Sequence, residues 1–117
     1  MSPPGSARPR LSRPLVLEAP TRADDGMGGY TEVWASRGTL WCEVTPGTGR
    51  VAGGEFHATA TSPYRITLRA APVGHPQRPD AGQRLRDGTR QFRILAVSEA
   101  DAQGLYLVVS AVEEVVT

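Results

Sequence analysis

Apolar and polar positions alternate with a period of two through most of this chain, the signature of half-buried strands. Between Thr39 and Thr45, Leu40, Cys42 and Val44 share one face while Trp41, Glu43 and Thr45 take the other. Tyr64 to Ala70 repeats the pattern, with Ile66, Leu68 and Ala70 inward and Arg65, Thr67 and Arg69 outward. Leu15 to Ala19, closed by Pro20, reads as a first strand, and Tyr30 to Ala35 as a second. Gln83 to Arg86 and Thr89 to Val97 flank Asp87-Gly88, a dipeptide whose tolerance of positive φ suits a two-residue hairpin. After a polar turn from Ser98 to Gly104, Leu105 to Glu114 forms the last strand. Ile94 to Val97 and Leu105 to Val109 are apolar on both faces, which predicts strands buried on both sides, inside a barrel or beneath a partner.

Asp24 to Gly29 supplies two aspartates and three glycines between apolar runs. Glycine reaches positive φ without a Cβ clash, and aspartate bonds its own backbone two residues on, so the chain reverses here. Leu15 to Leu17 and Tyr30 to Trp34 are then expected to pair antiparallel. No amphipathic helix longer than two turns and no internal repeat is visible. The pattern predicts an all-β fold: a small antiparallel β-barrel of six or seven strands with long Gly/Pro-rich loops. Closure is preferred to an open sandwich because it removes the unpaired edges of so short a sheet.

Three segments fall outside the strand pattern. Residues 1–14 carry four prolines with Arg8, Arg10 and Arg13 and no acid, and read as a flexible arm that a neighbour would have to order. Residues 15–117 form the barrel domain. Within it, Gly47 to Ser62 has neither strand nor helix period, and unstructured loops of that length in a compact domain are either functional or disordered. Ala71 to Ala81 is a proline-rich connection.

Composition narrows the function classes. With 117 residues there is one small domain. A formal net charge of +1 gives no global attraction to nucleic acid or an anionic membrane. All 13 basic residues are arginine, which reads as codon bias before it reads as a nucleic-acid signal. No stretch is long enough for a membrane span and no apolar run follows the N-terminal arginines, so the chain reads as intracellular.

No catalytic or metal constellation emerges, and no cofactor is expected. Cys42 is alone, on the face shared with Leu40 and Val44, and reads as a buried, inert thiol. His57 and His75 have no carboxylate at ligand-like spacing, whereas a metal needs three or four donors. Asp24 and Asp25 are explained by the turn. Gly26 to Gly29 opens no helix, and the glycines after Gly47 lack the Gly-Lys-Ser/Thr ending of a phosphate loop. Trp34, Trp41, Tyr64 and Phe92 read as core, the alternative being base stacking on an open sheet face.

Taken in order, Leu15-Val-Leu-Glu-Ala-Pro-Thr-Arg22, Asp25-Gly-Met-Gly-Gly-Tyr-Thr-Glu-Val-Trp34 and Leu40-Trp-Cys-Glu-Val44 resemble the opening of the phage head–tail joining (head closure, or stopper) family. Gly49-Arg50, Tyr64 to Arg69, Asp87 to Val97 and the closing strand follow in that family's order, so the likeness spans about Leu15 to Val115. Gene transfer agents, which are phage-derived particles, carry similar proteins. Two departures are visible: Val51 to Gly54 is small where the family has a charged, partly helical piece, and Pro72 to Pro79 is longer and more prolyl.

The resemblance implies a non-enzymatic connector: a homo-oligomeric ring of six or twelve copies in the neck of a virion or phage-like particle, assembled in the host bacterial cytoplasm. Its partners would be adaptor or portal proteins on the head side, tail terminator or tail tube proteins on the tail side, and packaged double-stranded DNA in the channel; no membrane is involved. By position, the family's channel loop falls on Gly47 to Ser62, with Gly47, Gly49, Arg50, Gly53, Gly54, Glu55, Phe56 and His57 as gating residues and retention largely steric. Arg8, Arg10 and Arg13 are the candidate inter-subunit contacts of the arm. The alternatives are a single-stranded nucleic-acid-binding barrel and another tail-proximal ring protein such as a tail terminator.

Overall fold

The computed structural model describes residues 8–47 and 62–114. Six strands follow in order: β1 (Arg13–Asp24), β2 (Tyr30–Pro46), β3 (Ser62–Arg69), β4 (Arg84–Asp87), β5 (Arg90–Glu99) and β6 (Tyr106–Glu114). They close in the order β1-β2-β3-β6-β5-β4, every neighbouring pair antiparallel. The all-β expectation is met, and the Asp87-Gly88 hairpin joins β4 to β5 as its dipeptide predicted, with Gly88 at φ +60°.

Inward-facing residues from every strand fill the cylinder. Leu15, Leu17, Cys42, Ile66, Leu85, Phe92, Leu107 and Val109 have no exposed surface, and Leu68, Ile94 and Ala111 are nearly as buried. Fully burying a side chain of this kind contributes about 1.5–3 kcal/mol. Among the described residues the interior is therefore a packed core rather than a passage.

Three expectations need correction, each for a local reason. The runs Tyr30–Ala35 and Thr39–Thr45 are one 17-residue strand. Between the pairs Val16↔Thr39 and Glu18↔Ser36 the chain takes two steps on β1 against three on β2. A bulge absorbs the extra residue at Arg37-Gly38, where Gly38 sits at φ +106°. The sequence shows a glycine and a phase change there, which looks like a break. The bulge also turns both tryptophans outward although they are an odd number of residues apart: Trp34 pairs with Pro20 and Trp41 with Pro14.

The pairing of Leu15–Leu17 with Tyr30–Trp34 is also displaced. Leu15 lies opposite Leu40, and the partners of Tyr30 to Trp34 are Asp24 to Pro20. The first strand thus runs through Pro20 to Asp24. Proline is tolerated there because β4 stops opposite Glu18, so no further strand claims the missing N–H.

Finally, Ile94–Val97 and Leu105–Val109 are not buried on both faces. Ile94 pairs with Ala111 and Ala96 with Ser110, so β5 carries an extra residue, Leu95. It is extruded and 43% exposed, while Leu105 precedes β6 and is 54% exposed.

Candidate assembly site at the two ends of the barrel

Strand directions sort every connection to one of two ends. At one end lie the start of β1, the junction of β2 with β3, the β4–β5 turn and the close of β6. Residues 8–12 and the segment between Gly47 and Ser62 therefore leave from this end, here called the loop end. The β1–β2 turn, the connection from β3 to β4 and the β5–β6 turn lie at the other, the hairpin end.

At the loop end the barrel mouth is shut by ion pairs on inward-facing positions. Asp87 lies opposite Arg90, Phe92 opposite Glu113, and Tyr64 opposite Ala111. Arg13 donates from Nε and Nη2 to Asp87 Oδ2 at 3.1 and 2.9 Å. Arg90 donates to both oxygens of Glu113, at 2.7 and 3.0 Å, and reaches the Tyr64 hydroxyl at 3.3 Å. The Tyr64 ring meets Phe92 edge to face at 5.2 Å. The hydrogen bonds from Arg90 hold the Glu113 carboxyl below the usual carboxylate range, helped by Arg90's charge, Tyr64 and Arg13. Beneath this lid, burial pushes the Cys42 thiol up to about 12 against the opposing pull of Arg13. That thiol is a core filler, as its strand position predicted.

Above the lid stand the roots of the segment between Gly47 and Ser62. The Gly47 N–H donates to the Pro63 carbonyl at 2.9 Å, and a Cβ at Gly47 would sit 3.2–3.3 Å from Pro63 atoms. Glycine thus lets the two roots approach closely. Gly49, Arg50, Gly53, Gly54, Glu55, Phe56 and His57 lie outside the described residues. Of the arm residues, Arg8 and Arg10 are exposed, and the Arg10 N–H donates to Glu43 Oε2 at 2.9 Å. Arg13 starts β1, and Asp87 holds its guanidinium within the chain.

The hairpin end is built differently. Beyond Glu18 on β1 and Ser36 on β2, the two strands pair, among the described residues, only with each other, so Ala19–Asp24 and Tyr30–Ala35 form a two-stranded ribbon leaving the barrel. At about 3.3 Å per residue, its six-residue β1 arm extends roughly 20 Å. The tip is tied by its aspartates: Asp24 Oδ1 accepts from Gly26 N–H, and Asp25 Oδ1 from Met27 and Gly29 N–H, at 2.8–3.0 Å. Met27 is 90% exposed and Tyr30 70%, with Arg22 over the Tyr30 ring. At the ribbon's base the Gln77 side chain donates to the Arg37 carbonyl, propping the bulge. His75 is occupied within that connection, its Nδ1 accepting from the Gln77 N–H.

A cluster that the sequence did not suggest marks the waist. Glu18 is buried on the outer wall, with Arg84 Nε at 2.6 Å and Arg86 Nη2 at 3.1 Å from its two oxygens. Arg84 also lies over the Trp34 ring, 4.1 Å from its centroid. The only hint was a lone glutamate in an apolar strand, and its partners are 66 residues or more away in sequence. Of the four aromatics read as core, only Phe92 is fully buried, while Trp41 is 56% exposed.

Comparison with curated proteins finds no significant match. A solved chain described as "Virion of native gene transfer agent (GTA) particle" is 52% identical to this one, covering 94% of this chain and 100% of its own, with a TM-score of 0.79. The family model described as phage head completion protein matches residues 7–114. With every described residue inside that match, the chain belongs to the phage head completion protein family.

Proposed function

We propose that this protein is a head-closure subunit that forms a ring at the head–tail junction of a phage-like particle, joins adaptor or portal to tail, and helps retain packaged DNA. The observation that carries this reading is the solid barrel mouth beneath the loop roots. Because the interior is filled and its loop end closed by Arg13–Asp87 and Arg90–Glu113, a DNA channel has to run between copies. The segment 47–62, whose roots Gly47 and Ser62 stand on this base, would then be the part of each copy that serves the channel. With only Arg50 and Glu55 as its charges, retention would be steric.

The oligonucleotide-binding alternative has less support. Trp34 is covered by Arg84, and arginines 13, 84, 86, 90 and 93 each face a carboxylate of their own chain. Steep salt-dependent binding of free protein to oligonucleotides would favour it nonetheless.

The test is electron microscopy of particles made without the protein. Heads lacking tails and depleted of DNA are expected, and normal tailed particles would refute the connector role. Replacing Gly49–His57 by a short linker should leave tails attached but lower DNA retention if the loop is the gate.

A further inference from the structure

The net charge of +1 conceals a strong polarity along the barrel axis. Among the described residues, the loop-end half carries six arginines (8, 10, 13, 65, 86 and 90) against four carboxylates, Glu43, Asp87, Glu113 and Glu114, a net +2. The hairpin-end half carries four arginines (22, 37, 69 and 78) against six carboxylates, Asp24, Asp25, Glu32, Asp80, Glu99 and Asp101, a net −2. At the waist Glu18 offsets Arg84, and Arg93, opposite Arg84, adds one positive charge. One end of the molecule is thus complementary to the other.

The negative end also needs a cover. A two-stranded ribbon is marginal in water by itself. This one exposes Met27, Tyr30 and Val33, and beyond the waist no third strand among the described residues pairs with its two backbone edges. On the positive end, Arg86 shares Glu18 with Arg84 and keeps 42% of its side chain open to a neighbour. Arg93, half exposed, makes only a loose 3.3 Å pair with Glu114 on the same wall.

We infer that the β1–β2 ribbon of one copy docks on the β4–β5 wall of the next, its acidic tip against Arg86 and Arg93, so that copies join head to tail. This rests on the ring reading above and specifies its contact. Complementary but different surfaces on each copy make a heterologous interface, the type that closes a ring when its rotation closes. Opposite net charges also favour this register over ribbon-to-ribbon pairing, in which three carboxylates would face three.

Met27 is the probe position, since its side chain is exposed and at the tip. The full chain carrying a photo-crosslinking benzoylphenylalanine at Met27 is supplied to producing cells that lack the protein, and purified particles are irradiated. A ladder of chain multimers is expected, with the crosslinked peptide mapping to residues 84–93. A crosslink to another protein, to Met27's own neighbourhood in a second copy, or to none would overturn this docking while leaving the connector reading intact. Absence of the chain from particles would overturn both.

A charge exchange provides the second readout. Glu32→Arg and Arg93→Glu should each reduce tailed particles by roughly tenfold, and the double variant should recover most of that loss, as coupled charge pairs do. A double variant no better than the worse single would sink the inference.

Discussion

The two ends of this barrel solve opposite problems with the same residue types. At the loop end, arginines and carboxylates face one another across strands β1, β4, β5 and β6, and the pairs close the mouth over Phe92 and Cys42. At the hairpin end, the aspartates bend backbone and the ribbon's arginine stacks on a tyrosine, leaving charge and apolar surface facing outward. Charge is consumed internally where the molecule must be rigid and displayed where it has no internal partner. A fixed base and a reaching arm follow from that division.

The largest effect should come from the core beneath the lid. Phe92→Ala removes a fully buried ring that also braces Tyr64, and should cost about 3–5 kcal/mol in urea denaturation, most of a small domain's stability. Val33→Ala in the ribbon, where the side chain is 43% exposed, should stay within about 0.5 kcal/mol. Equal losses would mean that ribbon and barrel are one cooperative unit, and would erase the contrast. Native-state hydrogen exchange sharpens the same point: ribbon amides should exchange well before those of β5 and β6.

Next in size is the waist. Glu18→Gln leaves two arginine guanidinium groups without their carboxylate, one of them stacked on Trp34, and should cost about 2–3 kcal/mol, below the full range for a wholly buried pair because Arg86 is partly exposed. Loss of the anchor should also loosen the ribbon, read as faster exchange of Ala19 to Arg22. A Glu18→Gln chain with unchanged stability would show that the cluster is ornamental.

How much of this was legible beforehand follows from the range of each interaction. Ile66 and Leu68 inward, the Asp87-Gly88 turn and the Asp24–Gly29 reversal are set within a few residues, so alternation and turn chemistry reveal them. The bulges at Gly38 and Leu95 shift the period by one residue, and a phase change reads as a strand end or as two-sided burial. Register is a property of pairs: the partner of Leu15 turned out to be Leu40 because the ribbon beyond it is long, not because of anything at Leu15. The Glu18 cluster and the mouth lid join residues 23 to 74 positions apart, which only closure of the barrel brings together. The ordered motifs carried the family, whereas Gly49 to His57, expected to gate, lie outside the described residues.

Cys42 tests how dry the loop end is. Its thiol stays protonated in the folded chain to about pH 12, whereas the unfolded thiol ionises near 9.0. A raised folded value means full stability below about pH 9 and a progressive loss above it. At pH 10 the wild type should therefore lose about 1 kcal/mol relative to pH 8 that a Cys42→Ala chain does not lose. Native Cys42 should also resist thiol reagents at pH 8 until denaturant is added. Prompt labelling would mean that water reaches the core through the mouth, contrary to a sealed lid.

The smallest effect belongs to the lid itself, and it separates sealing from stabilising. Arg90 and Glu113 are bidentate but partly exposed, with 38% and 22% of their side-chain surface open, so solvent screens them. A double-mutant cycle of Arg90→Met and Glu113→Gln should give a coupling of only about 0.5–1 kcal/mol. The sign with pH is fixed by the lowered carboxyl: the contribution is present above the ordinary carboxylate range and disappears as pH falls through the folded value. The stability gap between wild type and Glu113→Gln should accordingly shrink on going from pH 6 to about pH 3. A gap that persists in acid would assign the stabilisation to the Tyr64–Phe92 contact beneath the pair, and the loop end would then be held by packing rather than by its charges.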